Sequence, residues 1–106
     1  TNIKIIIENR FKKLSYLNLY GNDISHLERN WFNATISSLI SLSLESNRLE
    51  FIKEFYFGSF ESLIELILAK NRITSIQKFS FNKLKSLLSL SLEENHLFKV
   101  EAAWFK

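Results

Sequence analysis

The stretch LISLSLESNRLEFI, from Leu39 to Ile52, decides the fold. Leu42 and Leu44 alternate with Ser41, Ser43 and Glu45, the period-two pattern of a strand with one apolar face. Asn47 follows, and then Leu49 and Ile52. The same order, L-x-x-L-x-L-x-x-N-x-[LI]-x-x-[LIV], recurs over Leu14 to Leu27, Leu63 to Ile76 and Leu87 to Val100. Its asparagines are Asn22, Asn47, Asn71 and Asn95, at spacings of 25, 24 and 24 residues. A phenylalanine stands five residues after the last aliphatic position of each unit, at Phe32, Phe57, Phe81 and Phe105. A further apolar residue precedes each unit by three: Phe11, Ile36, Phe60 and Leu84. Ile3 opens an incomplete unit with Glu8 at its phenylalanine position. The units therefore read as about 1–13 (partial), 14–38, 39–62, 63–86 and 87–106 within one segment.

One such strand cannot bury its leucines alone. Stacked side by side, the units form a parallel sheet with a continuous apolar core behind it. Ile24, Leu27, Leu49, Ile52, Ile73, Ile76, Leu97 and Val100 belong to the segments that return over that core. The four phenylalanines stack as a spine on the opposite side, where large rings fill the space between units. An asparagine buried without partners is costly. The four asparagines are therefore expected to form a ladder at the turn leaving each strand, bonding the backbone of their own loop and of the next unit. With no proline and only 2 glycines, the turns are expected to be shaped by that ladder and by Ser, Asn and Lys.

Four units in register, with both the asparagine and phenylalanine columns kept, resemble the leucine-rich repeat family. The likeness is to its typical 24-residue class, as in extracellular receptor and adhesion ectodomains of the Toll-like receptor kind. The resemblance implies an α/β fold, a right-handed solenoid or horseshoe segment. A parallel β-sheet would lie on its concave face, with short helices, 3-10 turns or loops on its convex face. It implies protein recognition by shape and side-chain complementarity, with a protein ligand or co-receptor as partner and no cofactor. It also implies an extracellular or cell-surface setting, the cytoplasmic scaffold of the same family being the alternative.

The outward residues of the strands are the candidate binding surface: Tyr16, Asn18 and Tyr20, then Ser41, Ser43 and Glu45. Glu65, Ile67 and Ala69 come next, followed by Ser89, Ser91 and Glu93. Tyr16 and Tyr20 are rigid and amphipathic, as interface anchors tend to be. These positions carry three glutamates and no lysine or arginine. The basic residues fall in loops, where Arg48, Lys70 and Arg72 make a modest basic edge. That edge is the alternative site, for a ligand or nucleic acid. The net charge of +3 and pI near 9.3 are otherwise those of an ordinary soluble surface.

Other classes fare poorly. The chain has 106 residues and no cysteine, which removes thiol nucleophiles, thiolate metal sites and disulfides within it. His26 and His96 lack a partner at metal-ligand spacing, and no serine sits in a nucleophile elbow. No stretch approaches the ~20 apolar residues that cross a bilayer, so membrane insertion by this segment is not expected. An anchor elsewhere in a longer protein would be compatible. Asn33-Ala34-Thr35 is a glycosylation sequon in the convex loop where the first unit carries its extra residue. The ends show no polar caps, as an excerpt of a longer array would look.

Overall fold

The computed structural model describes residues 14–28 and 38–106. Four short strands form one parallel sheet: β1 (Tyr16–Asn18), β2 (Ser41–Ser43), β4 (Glu65–Ile67) and β6 (Ser89–Ser91), in that spatial order. Their register places Leu17, Leu42, Leu66 and Leu90 in a single row. Each leucine is the middle residue of its strand, pointing to the face opposite its two neighbours. Pairing continues beyond the strands. Leu19 donates to the Ser43 carbonyl and Leu44 to the Ile67 carbonyl, and Leu68 donates to the Ser91 carbonyl, each at 2.8 Å.

The core lies behind this sheet. Leu42, Leu44, Leu66 and Leu68 are fully buried, as are Leu49, Ile52 and Ile73 from the return segments. Leu17, Leu19, Leu90 and Leu92 are only partly covered. Among the described residues, the two middle units have a neighbour on each side and the outer units have one. Burial of a leucine side chain contributes about 1.5–3 kcal/mol, so the middle units carry most of the apolar stabilisation.

On the return side, β3 (Phe51–Ile52) and β5 (Ser75–Ile76) pair in parallel, Phe51 opposite Ser75 and Ile52 opposite Ile76. This second sheet stands where the repeat pattern predicts helices, 3-10 turns or loops. Thr74 donates to the Glu50 carbonyl at 2.9 Å and Gln77 to the Ile52 carbonyl at 2.9 Å, which satisfies the extended backbone there. The remainder is turns, with one 3-10 turn at Ala102–Trp104. No α-helix occurs among the described residues.

Candidate interaction surface

The sheet's register sorts its outward residues into rows. Tyr16, Ser41, Glu65 and Ser89 form one; Asn18, Ser43, Ile67 and Ser91 form the next. A third row, one step past the strands, holds Tyr20, Glu45, Ala69 and Glu93. Here Gly21 donates to the Glu45 carbonyl, Ser46 to that of Ala69 and Lys70 to that of Glu93, at 3.0–3.1 Å. Tyr16, Asn18, Tyr20, Ser41, Ser43, Glu45 and Ile67 together line a shallow concavity of about 380 Å³. Glu65 stands beside it, fixed by the Ser41 hydroxyl at 2.9 Å. Ser89, Ser91 and Glu93 lie farther along the sheet and do not line it. Ala69, expected to face outward, is buried: its methyl group is too short to reach solvent, whereas the longer Tyr20, Glu45 and Glu93 of the same row do.

Tyr16 and Tyr20 are 69% and 57% exposed. The Asn18 side-chain oxygen accepts from the Tyr20 backbone N–H at 3.0 Å, which holds the chain between the two rings. Large aromatic groups left in water in the wall of a concavity are the surface anomaly that marks an interaction site. The charges lean one way. Glu45 and Glu65 are half-buried and Glu93 is exposed, and the nearby cation Lys70 lies 4.0 Å from Glu45 Oε2. Arg48, part of the basic edge, is paired with Asp23 at 3.2 Å. That edge is therefore partly neutralised by its own neighbours.

The asparagine column is built as a set of brackets. Asn47 Nδ2 donates to the carbonyls of Leu19 (2.9 Å), Leu44 (2.9 Å) and Glu45 (3.3 Å). Its Oδ1 accepts from the N–H groups of Asn22 (2.9 Å) and Ile24 (3.0 Å). Asn71 Nδ2 donates to Leu44, Leu68 and Ala69, and its Oδ1 accepts from Leu49. Asn95 Nδ2 donates to Leu68, Leu92 and Glu93, and its Oδ1 accepts from Ile73. The expectation that each asparagine bonds the next unit is corrected: it bonds its own turn and the preceding unit. The reason lies in the strand geometry. The Leu19 carbonyl points toward the following unit, where the chain has begun to turn, and the Asn47 amide supplies the donor that the departing backbone no longer offers. Asn22 is exposed, and among the described residues its Nδ2 bonds within its own turn, to the Tyr20 carbonyl at 3.1 Å.

The turn itself has a feature absent from the sequence reading. The residue before each asparagine is left-handed: Gly21 (φ 67°), Ser46 (58°), Lys70 (58°) and Glu94 (57°). Only the first uses glycine, the residue that adopts this conformation without steric cost.

On the far side, Phe57 stacks on Phe81 with ring centroids 6.1 Å apart and planes 21° from parallel. Phe105 meets Phe81 at 5.5 Å, tilted by 41°. Phe32 and the sequon residue Asn33 lie outside the described residues. Sequence reading missed the buried rings one position earlier, Tyr56 and Trp104. Trp31, Tyr56, Ser80 and Trp104 hold that position in the four units, so an aromatic column broken only at Ser80 stood in the sequence as the signal for it. Burial raises the Tyr56 hydroxyl above the usual tyrosine value; a Leu27 backbone hydrogen bond opposes the shift and the Glu28 carboxylate adds to it.

Among the described residues, no group of three metal-ligating side chains converges, and no helix is long and apolar enough to cross a membrane. His26 is engaged by Glu28 at 3.1 Å and by Ser25 at 3.3 Å.

Two family models described as leucine-rich repeat match the chain, one over residues 61–106 and the other over residues 13–34. No curated protein sequence matches it. Among solved structures, the chain is similar to the Toll–Spätzle complex of Drosophila, at 29% identity with a TM-score of 0.80 over 87% of this chain. It is also similar to a TLR13–ssRNA13 complex, at 29% identity with a TM-score of 0.76 over 82% of this chain. In each case it spans 12% of the other chain's length. The strand rows, the asparagine brackets, the two matching models and these likenesses agree, and the chain belongs to the leucine-rich repeat family.

Proposed function

We propose that this segment is a protein-recognition module of an extracellular or cell-surface leucine-rich repeat protein, of receptor or adhesion type, and that it binds through its concave sheet face. The observation that carries the reading is the concavity lined by the exposed Tyr16 and Tyr20 together with Ile67 and the small Ser41 and Ser43. Rigid amphipathic rings bury large area at low entropic cost, which is what a protein interface draws on. The reaction is binding without covalent chemistry and needs no cofactor. Likeness to receptor chains, one solved with the protein Spätzle, supports the setting and the kind of partner. The Asn33 sequon is in keeping with a secreted or surface protein.

Photo-cross-linking tests it. p-Benzoylphenylalanine replaces Tyr16 in one variant and the exposed Phe51, on the return side, in another. Concave-face recognition predicts a protease-sensitive, nuclease-resistant adduct from position 16 only. Equal adducts from position 51 would argue against the face. A nuclease-sensitive adduct would favour the alternative, nucleic-acid binding near the loop edge, which the likeness to an RNA complex keeps in the test.

A further inference from the structure

The concave rows differ from the rest of the surface in the sign of their charge. A chain with net charge +3 keeps every lysine and arginine out of the three described rows while Glu45, Glu65 and Glu93 stand in them. Neighbouring positions along a row are about 4.8 Å apart, the spacing of adjacent strands. Tyr20 and Glu45 are row neighbours. Tyr16 and Glu65 flank Ser41, whose hydroxyl donates to Glu65 Oε1 at 2.9 Å and turns that carboxylate along the row. Tyr20 thus has a carboxylate at the next position of its row and Tyr16 has one two positions along, with Ile67 in the row between.

This combination selects for one kind of group. A lysine or arginine side chain has an apolar stem that covers a ring and an isoleucine, and a cationic head that meets a ring face or a carboxylate. A carboxylate or phosphate on the partner would face repulsion from three glutamates. The resident cation is a weak competitor. Lys70 Nζ is 4.0 Å from Glu45 Oε2 and its side chain is half exposed, an arrangement that contributes little and is readily displaced.

We propose that the concave face recognises a cationic segment of its protein partner, with a lysine or arginine side chain laid between Tyr16, Tyr20 and Ile67 and its head group at Glu45 and Glu65. The inference rests on the concave-face reading above and adds the partner's charge to it. It also accounts for the rows having tyrosine and glutamate together with small serines: the serines leave room for the incoming stem.

Isotope-labelled chain is titrated with tetralysine, tetraglutamate, a neutral glycine–serine tetrapeptide and hexauridylate while backbone amide shifts are followed. The expected result is that tetralysine alone moves the amides of Tyr16 to Tyr20, Ser41 to Glu45 and Glu65 to Ile67. Affinity should fall several-fold between low and physiological salt. Glu45→Gln and Glu65→Gln should each weaken binding about threefold, and Glu101→Gln, on an exposed loop away from the sheet, should leave it unchanged. If the neutral or acidic peptide moves the same amides equally, the cationic assignment is overturned while recognition by this face stands. If hexauridylate moves them, the protein-partner assignment is overturned. If every probe leaves the rows silent and only loop amides respond, both readings fall.

Discussion

Asn47 Nδ2 lies 2.9 Å from the Leu19 carbonyl oxygen, closing across 28 residues of sequence a contact that the backbone leaves open. Asn71 repeats it on Leu44 at 3.0 Å and Asn95 on Leu68 at 2.9 Å.

Asn71→Leu should therefore destabilise the fold by about 1–3 kcal/mol, since the Leu49 N–H loses its acceptor and three carbonyls lose a donor. Asn22→Leu should cost well under 1 kcal/mol, because its side chain is exposed and water can replace its bond to the Tyr20 carbonyl. Urea denaturation of the two variants measures the difference, and equal losses would refute the bracket as the source of stability.

The left-handed position before each asparagine gives a prediction of opposite sign. Glu94→Gly and Ser46→Gly should be neutral or stabilising by up to about 1 kcal/mol, as relief of the left-handed strain outweighs the added freedom of the unfolded chain. Gly21→Val should destabilise by about 1 kcal/mol or more, although no atom lies within 4 Å of the Cβ site, so that only the dihedral is at issue. Thermal melts followed by circular dichroism check both.

Phe81 is gripped by Phe57, Trp104 and Phe105. Phe81→Ala should cost about 3–5 kcal/mol, the usual range for an enclosed aromatic. Phe105→Ala should cost markedly less, because that ring is 46% exposed. Comparable losses in chemical denaturation would mean that the spine is not graded by burial.

Tyr56 supplies a pH dependence. Its hydroxyl is held above the ordinary tyrosine value of 10.0, chiefly by burial. The folded state thus keeps its proton after the unfolded chain has lost its own. The associated stability is complete below about pH 10 and declines as the pH rises through the folded-state value. Tyr56→Phe should flatten this alkaline decline. Denaturant midpoints between pH 8 and 11 measure it, and an unchanged slope would remove Tyr56 as the cause.

Asn33 should carry a glycan when the protein is produced in a secretory host. Intact mass before and after glycosidase treatment reads this directly. The bare polypeptide mass from such a host would count against the extracellular assignment.

The rows of the sheet were legible because a period-two pattern repeated every 24 or 25 residues fixes both face and register. The repeat alone places Tyr16, Ser41 and Glu65 side by side, as the strand register has them. Other features left no such mark. Gly21, Ser46, Lys70 and Glu94 share a dihedral but no chemistry, so the column is invisible in residue types. The pairing of β3 with β5 depends on backbone bonds that side chains at Phe51 and Ser75 do not advertise. The direction of the asparagine bonds depends on which way the Leu19, Leu44 and Leu68 carbonyls point, a property of the strand and not of the motif. Ala69 counted as outward by alternation, yet it is buried while its row neighbours Tyr20, Glu45 and Glu93 reach solvent, a difference of side-chain length that alternation does not weigh.

The backward-facing brackets also give the array a direction in time. Translation delivers the chain from its N-terminus, and the turn at Leu19 to Ile24 acquires its acceptor and donor only when Asn47 has left the ribosome. Each unit is latched by the one made after it. The growing end is thus always the unfinished one, and every newly exposed leucine row serves as the template on which the following unit closes.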